Sequence, residues 1–347
     1  MIIQHYQLFQ YQIPLDALLP VGKQRIDCRH GVVIVIEVDI EGVMNPVCVE
    51  VSPLSGLDVD GQPLTGFSQE SLAQVIGYLK TELPSLLGEQ SEQLLQLSQC
   101  CPLPSVSFGL SLLHAKLHQK IGLRQGSQQT VPLIYQDSDE PLHLLQAKVA
   151  ALSASVNAVK VKVGQTDLES DIKLIHAILA TKPNLKLRLD ANRSFSLDAA
   201  ITFAACMPKE AIEYIEEPCQ CPSDNQAFFE ALGIPYALDE SLNNAKYQFT
   251  MQPGLAALVI KPMLLGSIEK LSELIDTAHS HGVRCILSSS LEASLGIQDL
   301  SHLAATLTPD EVPGIDTLKA FSQDLVISSG KKRCLSTDNL SLIARSN

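Results

Sequence analysis

From about residue 130 the chain repeats one unit: a short apolar run ending in a charged or hydroxyl residue, then a helical pattern. The apolar runs are "TVPLIY" (130–135), "NAVKVKVG" (157–164), "LKLRLD" (185–190), "IEYIEE" (212–217), "PYALDE" (235–240), "LAALVIK" (255–261) and "VRCILSSS" (283–290). Between them, Leu168, Ile172, Ile175 and Leu179 keep a helical period, as do Ile268, Leu271, Leu274, Ile275 and Ala278. "SLGIQDLSHLAATLTP" is a further helical segment, ended by Pro309. Alternating strands and helices build a parallel sheet. Seven or eight units in succession favour closure into a barrel, because closure removes both sheet edges. An open doubly wound sheet is the structural alternative. It is weakened because no glycine-rich dinucleotide fingerprint follows the first strand.

The strand ends carry the chemistry. In order they present Lys160 and Lys162, Asp190, Glu216 with Glu217, Asp239 with Glu240, Lys261, and Ser288 to Ser290. Each step spans roughly 25 residues, one strand–helix unit. In a parallel barrel the C-terminal strand ends form one rim, where active sites sit. Residues from successive units therefore converge there. Clustered carboxylates raise one another's pKa, and a hard divalent cation relieves that conflict. Neighbouring positive charge lowers a lysine's pKa, so one amine can act as a base. A metal beside a substrate carboxylate would stabilise the enediolate formed when an α-proton leaves. In the strand "AVKVKVG" the valines are expected to pack outward and the lysines to point inward.

The first 125 residues differ. "GVVIVIEVDI" (31–40) and "NPVCVEVSPL" (45–54) read as an antiparallel hairpin, and helical patterns follow over 68–83 and 105–122. "SGLDVDGQPLTG" (55–66) is a turn-rich loop, and "VGKQRIDCRHG" in the twenties reads as a lid. The tail 324–343 breaks the repeat and is expected to return to the N-terminal unit.

The net charge of −13 argues against nucleic acid and anionic membrane surfaces as partners. The nine cysteines lack zinc-site spacing. The N-terminus shows no basic-then-apolar leader, and no apolar run is long enough to span a membrane. Free thiols in a reducing cytoplasm are expected. A monomer is compatible with these features.

The ordered series KVK, LDAN, EEP, LDES and VIKP resembles the enolase superfamily, in its muconate-lactonizing subgroup. "LPSVSFGLS", "IEEPCQ", "VIKPMLLGSIEK", "LSSSLEASLGI" and "LTPDEVPGIDTL" resemble the o-succinylbenzoate synthase family in its gamma-proteobacterial form. The likeness runs from about residue 30 to 320. It implies an α/β fold, a modified TIM barrel of (β/α)7β form, with an α+β capping domain. The cap would be residues 1–125 completed by 320–347, and the barrel 126–319. It also implies Mg²⁺, or Mn²⁺ in its place, bound by Asp190, Glu216 and Asp239. The superfamily's pairing of a Lys or His base with Mg²⁺ is already established. Lys162 would be the base, Lys261 would stabilise the enolate, and Lys160 would help keep Lys162 neutral.

The implied reaction is syn dehydration of a small carboxylate, 2-succinyl-6-hydroxy-2,4-cyclohexadiene-1-carboxylate, in menaquinone biosynthesis. Ser288, Ser289 and the Gly314 backbone would hold the succinyl carboxylate, and Asn192 would line the mouth. Arg188 shares a strand face with Asp190. It is a candidate substrate contact or a deeper, carboxylate-paired charge.

Each residue alone has a plainer reading: a wet KxK face, helix-capping aspartates, a surface lysine before Pro262. The ordered set is what favours chemistry. Two enzyme alternatives share this ring, an N-succinylamino acid racemase and a dipeptide epimerase. A barrel that only binds is the alternative of another class.

Overall fold

Residues near the N-terminus spend their backbone hydrogen bonds on one long hairpin, β1 (Ile2–Val21) and β2 (Gln24–Ile40), and a third strand, β3 (Val43–Val51). The computed structural model describes residues 1–22, 24–121, 131–135, 141–244 and 246–346. Strand β1 carries no expectation from sequence, although Leu8, Tyr11 and Ile13 are buried. Helices α1 (Leu72–Glu82), α2 (Glu92–Cys100) and α3 (Pro104–Leu117) follow. The Ser71 side chain caps α1 in a capping box with Gln74.

Up to His114 and Lys116 in its last turn, helix α3 is apolar or small on every side, and nearly all of it is buried. It is wedged between the N-terminal sheet and the barrel, in one core with Val49, Val51, Ile260 and Met263. Gly109 makes this possible, since a Cβ there would stand 2.4 Å from Val51 Cγ2.

The repeat then appears as expected: β4 (Leu133–Ile134), α4 (Leu142–Ala150), β5 (Ala158–Lys162), α5 (Leu168–Thr181), β6 (Lys186–Asp190), α6 (Leu197–Ala205), β7 (Ile212–Glu216), α7 (Asn225–Leu232) and β8 (Tyr236–Leu238). It continues through β9 (Leu255–Ile260), α8 (Pro262–Leu265), α9 (Ile268–Ser280), β10 (Arg284–Leu287) and α10 (Ser294–Leu307). Between β8 and β9 a 3₁₀ turn, Glu240–Asn243, stands among the described residues where a helix is expected.

Strands β4 to β10 form one parallel seven-stranded sheet in sequential order. Ser288 makes a further parallel bridge to Gly314, which takes the eighth position. Val131–Tyr135 at one end of the sheet and Gly314, Asp316 and Thr317 at the other line the same cavity, so the sheet curls into the (β/α)7β barrel. The valines of β5 pack outward with Leu174, Ile175 and Ile178 of α5. Tyr214, Ala237, Ala257, Val259 and Ile286 fill the interior.

The tail forms β11 (Asp324–Leu325), β12 (Cys334–Leu335) and β13 (Ser341–Arg345), and β13 pairs with β1. The return of the tail to the N-terminal sheet is as the sequence suggests. Among the described residues no helix is long and apolar enough to cross a membrane.

Candidate active site

Register places the charges. Lys162 pairs with Asp190 across β5 and β6, and Asp190 with Glu216 across β6 and β7. Asp239 follows β8, and Lys261 follows β9. Three neighbouring strands thus deliver the carboxylates, and the strands on either side deliver the lysines. Asp190, Glu216 and Asp239 are buried, and each offers an oxygen within 4.8 Å of the other two.

The ammonium groups reach into this cluster. Lys160 Nζ donates to Asp190 Oδ2 at 2.8 Å and Glu216 Oε2 at 2.5 Å. Lys162 Nζ donates to Asp190 Oδ2 at 2.7 Å and Asn192 Oδ1 at 2.6 Å. Lys261 Nζ donates to both oxygens of Asp239 at 2.6 Å. Asn192 in turn donates to Glu240 Oε1 at 2.7 Å.

Burial pushes Glu216 up to about 8, helped by Asp190 and Asp239 and opposed by Lys160. Burial also raises Asp190, but Lys160 and Lys162 outweigh it and hold that carboxyl well below the usual range. Glu240 is pushed up to about 7 by burial and then by Asp239. Burial lowers Lys160, yet Asp190, Glu216 and Asp239 raise it well above its ordinary value. Lys261 is raised in the same way by Asp239 and Glu240. The expectation of lysines driven down by one another therefore does not describe Lys160. Carboxylates surround it more closely than other cations do.

Three buried acidic groups, with the half-buried Glu240 beside them, face three ammonium groups, so acidic groups outnumber the lysines. All of the surplus donors are hard oxygens. This donor set fits a hard divalent metal ion.

Glu217 faces elsewhere. It sits at φ +40° and is fully buried. Its carboxylate accepts from Arg193 Nε at 3.1 Å, Asp239 N at 3.2 Å and Ser241 N at 2.7 Å. Of the EEP pair, Glu216 joins the cluster and Glu217 ties three loops together beneath it.

Above the cluster lies a cavity of about 430 Å³, lined by Lys160, Lys162, Asp190, Asn192, Lys261, Ser288 and Ser289 on its polar side. Leu19, Val21, Leu54, Phe67 and Leu291 close its apolar side. The expected lid is thus the tip of the β1–β2 hairpin. Among the described residues, none of 55–66 lines the cavity. That loop braces the tip instead: Gln24 donates to Asp58 Oδ2 and the Pro63 carbonyl, and accepts from Thr65 N.

A family model described as enolase C-terminal domain-like matches residues 144–327. A second, described as MenC, N-terminal domain, matches residues 3–117. The o-succinylbenzoate synthase of Klebsiella pneumoniae (strain 342) is 35% identical over 323 residues, 92% of each chain. That of Yersinia pseudotuberculosis serotype O:1b (strain IP 31758) is 36% identical over 323 residues, again 92% of each. The chain belongs to the o-succinylbenzoate synthase family of the enolase superfamily.

Solved structures agree on the fold. The o-succinylbenzoate synthase from Thermosynechococcus elongatus BP-1, complexed with Mg in the active site, superposes with a TM-score of 0.67 at 22% identity, covering 89% of this chain and 92% of that one. A dipeptide epimerase from Enterococcus faecalis V583, complexed with Mg and L-Leu-L-Tyr, gives a TM-score of 0.73 at 18% identity, covering 92% of both.

In this member of the o-succinylbenzoate synthase family, one expected substrate contact needs correction. Arg188 does not line the cavity. Its Nε donates to Glu213 Oε2 at 2.8 Å, Nη1 donates to the Val312 carbonyl, and the guanidinium lies 5.7 Å from the Tyr214 ring centre. Position i−2 shares a strand face with Asp190 but lies one pleat deeper. Gly314 lines the cavity; its N–H donates to the Leu287 carbonyl at 2.9 Å, and its own carbonyl accepts from Ser289 N and Ser288 Oγ. It supplies space: a Cβ there would stand 3.0 Å from Ser288 Oγ.

Glu240, Glu217 and Arg193 are the site residues that sequence reasoning did not assign. For the two glutamates the signal was present in the doubled acids EE and DE, whose first members join the carboxylate cluster; for Arg193 the sequence carried none.

Proposed function

We propose that this chain is an o-succinylbenzoate synthase, a carbon–oxygen lyase that dehydrates 2-succinyl-6-hydroxy-2,4-cyclohexadiene-1-carboxylate. The observation that carries this reading is Asp190, Glu216 and Asp239 presenting oxygens within 4.8 Å of one another between the strands of Lys162 and Lys261. Its context is a chain similar to such synthases over nearly its whole length. Asp190, Glu216 and Asp239 would hold Mg²⁺, with Mn²⁺ able to replace it. A bound ion of this kind supplies fixed positive charge beside the substrate carboxylate.

Lys162 takes the α-proton, breaking the C–H bond. The ring then expels its hydroxyl, breaking the C–O bond. The Lys162 ammonium returns the proton to that oxygen, so water leaves from the same face and the ring becomes aromatic. One group serving both steps gives a syn outcome without a second acid. Lys261 faces the developing negative charge and offsets it. Lys160 adds positive charge beside Lys162, and Asn192 Oδ1 holds the Lys162 amine in place. Ser288 and Ser289 receive the succinyl carboxylate. Residues 1–125 with 320–347 would act as the cap and 126–319 as the catalytic barrel; the boundary at 125–126 lies outside the described residues. Nine unpaired cysteines support a reducing compartment.

The test is ultraviolet detection of the aromatic product with and without Mg²⁺. Metal-dependent product formation is expected, and its absence overturns the reading. Lysines on both flanks also suit racemisation, which needs Lys162 and Lys261 as a pair. Deuterium exchange at the α-carbon of an N-succinylamino acid, without dehydration of the cyclohexadiene, would favour that alternative.

A further inference from the structure

We propose that Glu50 and Arg29, two buried side chains of the N-terminal sheet, are positioning residues that set the substrate-carboxylate end of the cavity. They would do so by fixing the backbone of Ser288–Ala293. The inference rests on the reading of Ser288 and Ser289 as substrate contacts.

Glu50 lies on β3 and is 1% exposed. Its Oε1 accepts from Tyr11 Oη at 2.6 Å, Ser52 Oγ at 2.8 Å and Ala293 N at 2.9 Å. Its Oε2 accepts from Gly296 N at 3.0 Å. Ala293 is the N-cap of α10 and has no side chain able to cap it. The carboxylate that satisfies the first turn of α10 therefore comes from the other sheet, 243 residues earlier. Negative charge at a helix N-terminus also suits the helix dipole. Residue 296 must be small for this, because a Cβ would stand 2.7 Å from Glu292 Cβ and 3.0 Å from Glu50 Oε2.

Arg29 lies on β2 and is 2% exposed. Its guanidinium forks across the junction. Two bonds stay in the N-terminal sheet region, to the carbonyls of Ser52 and Pro53 at 2.9 and 3.3 Å. Two cross to the barrel loop, to the carbonyls of Leu291 and Ser290 at 2.9 and 3.4 Å. Leu291 needs this support. It holds φ +65°, a left-handed conformation that a leucine keeps only when its surroundings over-determine it. Its N–H donates to Ser289 Oγ at 2.9 Å, so the strained residue and a cavity-lining hydroxyl are directly coupled. Ser290 N is fixed in turn by Glu292 Oε2 at 2.6 Å.

Ser288, Ser289, Ser290 and Leu291 all line the cavity on the side away from β5. Small displacements of such groups weaken substrate positioning. The carboxylate cluster stands on other strands, and among the described residues it shares no bond with Glu50 or Arg29. Loosening the clamp should therefore raise KM and leave metal affinity unchanged.

The experiment compares full-length Glu50→Gln, Arg29→Lys and Ser288→Ala with the parent. Each is assayed for KM and kcat on the cyclohexadiene substrate, for Mg²⁺ affinity by calorimetry, and for amide hydrogen exchange over 289–296. For Glu50→Gln and Arg29→Lys we expect KM raised about tenfold with kcat within about threefold. Mg²⁺ affinity should be unchanged and exchange over 289–296 faster. A folded Glu50→Gln with unchanged KM and exchange overturns the proposal, as does a joint loss of kcat and Mg²⁺ affinity. If Glu50→Gln does not fold, Arg29→Lys decides on the same readouts. An unchanged KM in Ser288→Ala defeats the serine reading instead, and the exchange data still decide the clamp.

Discussion

The two ends of the barrel each hold a cluster of opposite charges, and they are built differently. At the N-terminal end, Arg188 and Arg284 face Glu213 and Glu311. Arg284 spans both oxygens of Glu311 at 2.7 and 2.8 Å, and Glu213 takes a bond from each arginine at 2.8 and 3.3 Å. Both guanidinium groups lie near the Tyr214 ring, at 5.7 and 6.0 Å from its centre. Charges balance there. Burial raises Glu213, but Arg188 and Arg284 outweigh it and leave that carboxyl below its ordinary value. At the mouth the carboxylates outnumber the lysines, and Glu216 is pushed up to about 8. A balanced cluster seals the barrel. A cluster with surplus negative charge is a place for a cation. Guanidinium forks suit the first task because they lock geometry, and point-charge lysines suit the second because they can let go.

That contrast can be broken from the mouth first. Lys162→Ala should lower kcat by about ten thousandfold, with Mg²⁺ affinity retained, because it removes only the proton carrier. A calorimetric loss of metal binding in this variant would contradict that division of labour. Asp239→Asn should lower activity on the order of a thousandfold and should also weaken Mg²⁺ binding, since it removes a ligand and the partner of Lys261. Unchanged activity would sink the metal assignment.

Glu292 extends the comparison to a buried carboxyl with no cation bonded to it. Burial and the charge of Glu50 push it up to about 7, against Arg29 and a backbone bond from Ser290. Its folded pKa exceeds its unfolded one. The folded state therefore holds the extra proton, and stability falls as pH rises from about 4.5 through 7. The contribution is at most about 3 kcal/mol. Urea unfolding of Glu292→Gln should show a flatter pH dependence across that window, and an unchanged slope would refute the assignment.

Arg188→Met should cost the least, roughly 2 kcal/mol. Glu213 keeps Arg284 and some solvent, so it is not left unpaired. A lower Tm with unaltered Mg²⁺ affinity is expected. A changed affinity would mean the two ends are coupled.

Much of this was legible from local pattern. The period-two alternation in "AVKVKVG" identifies an inward lysine face, and strand β5 has it. The charge at each strand end predicts the mouth, because parallel strands in a barrel share one rim. Depth was less legible. Arg188 and Asp190 share a face, yet one belongs to the floor and the other to the mouth, and alternation cannot separate two positions on one face. Long β1 was missed where Pro14 and Pro20 interrupt a run that nonetheless pairs with β2. A helix expected after Asp239 is a 3₁₀ turn, since Glu217 claims the backbone N–H groups of Asp239 and Ser241.

By itself the sequence determined which residue types meet and in what order. Side-chain period and strand order are local properties, and Lys162, Asp190, one glutamate of the EEP pair, Asp239 and Lys261 follow from them. Only the tertiary structure decided which of two adjacent glutamates joins the cluster and how deep Arg188 lies. It alone brought Glu50 to the start of α10. Those outcomes depend on the approach of segments far apart in the chain, where packing selects one partner among several that the local pattern allows equally.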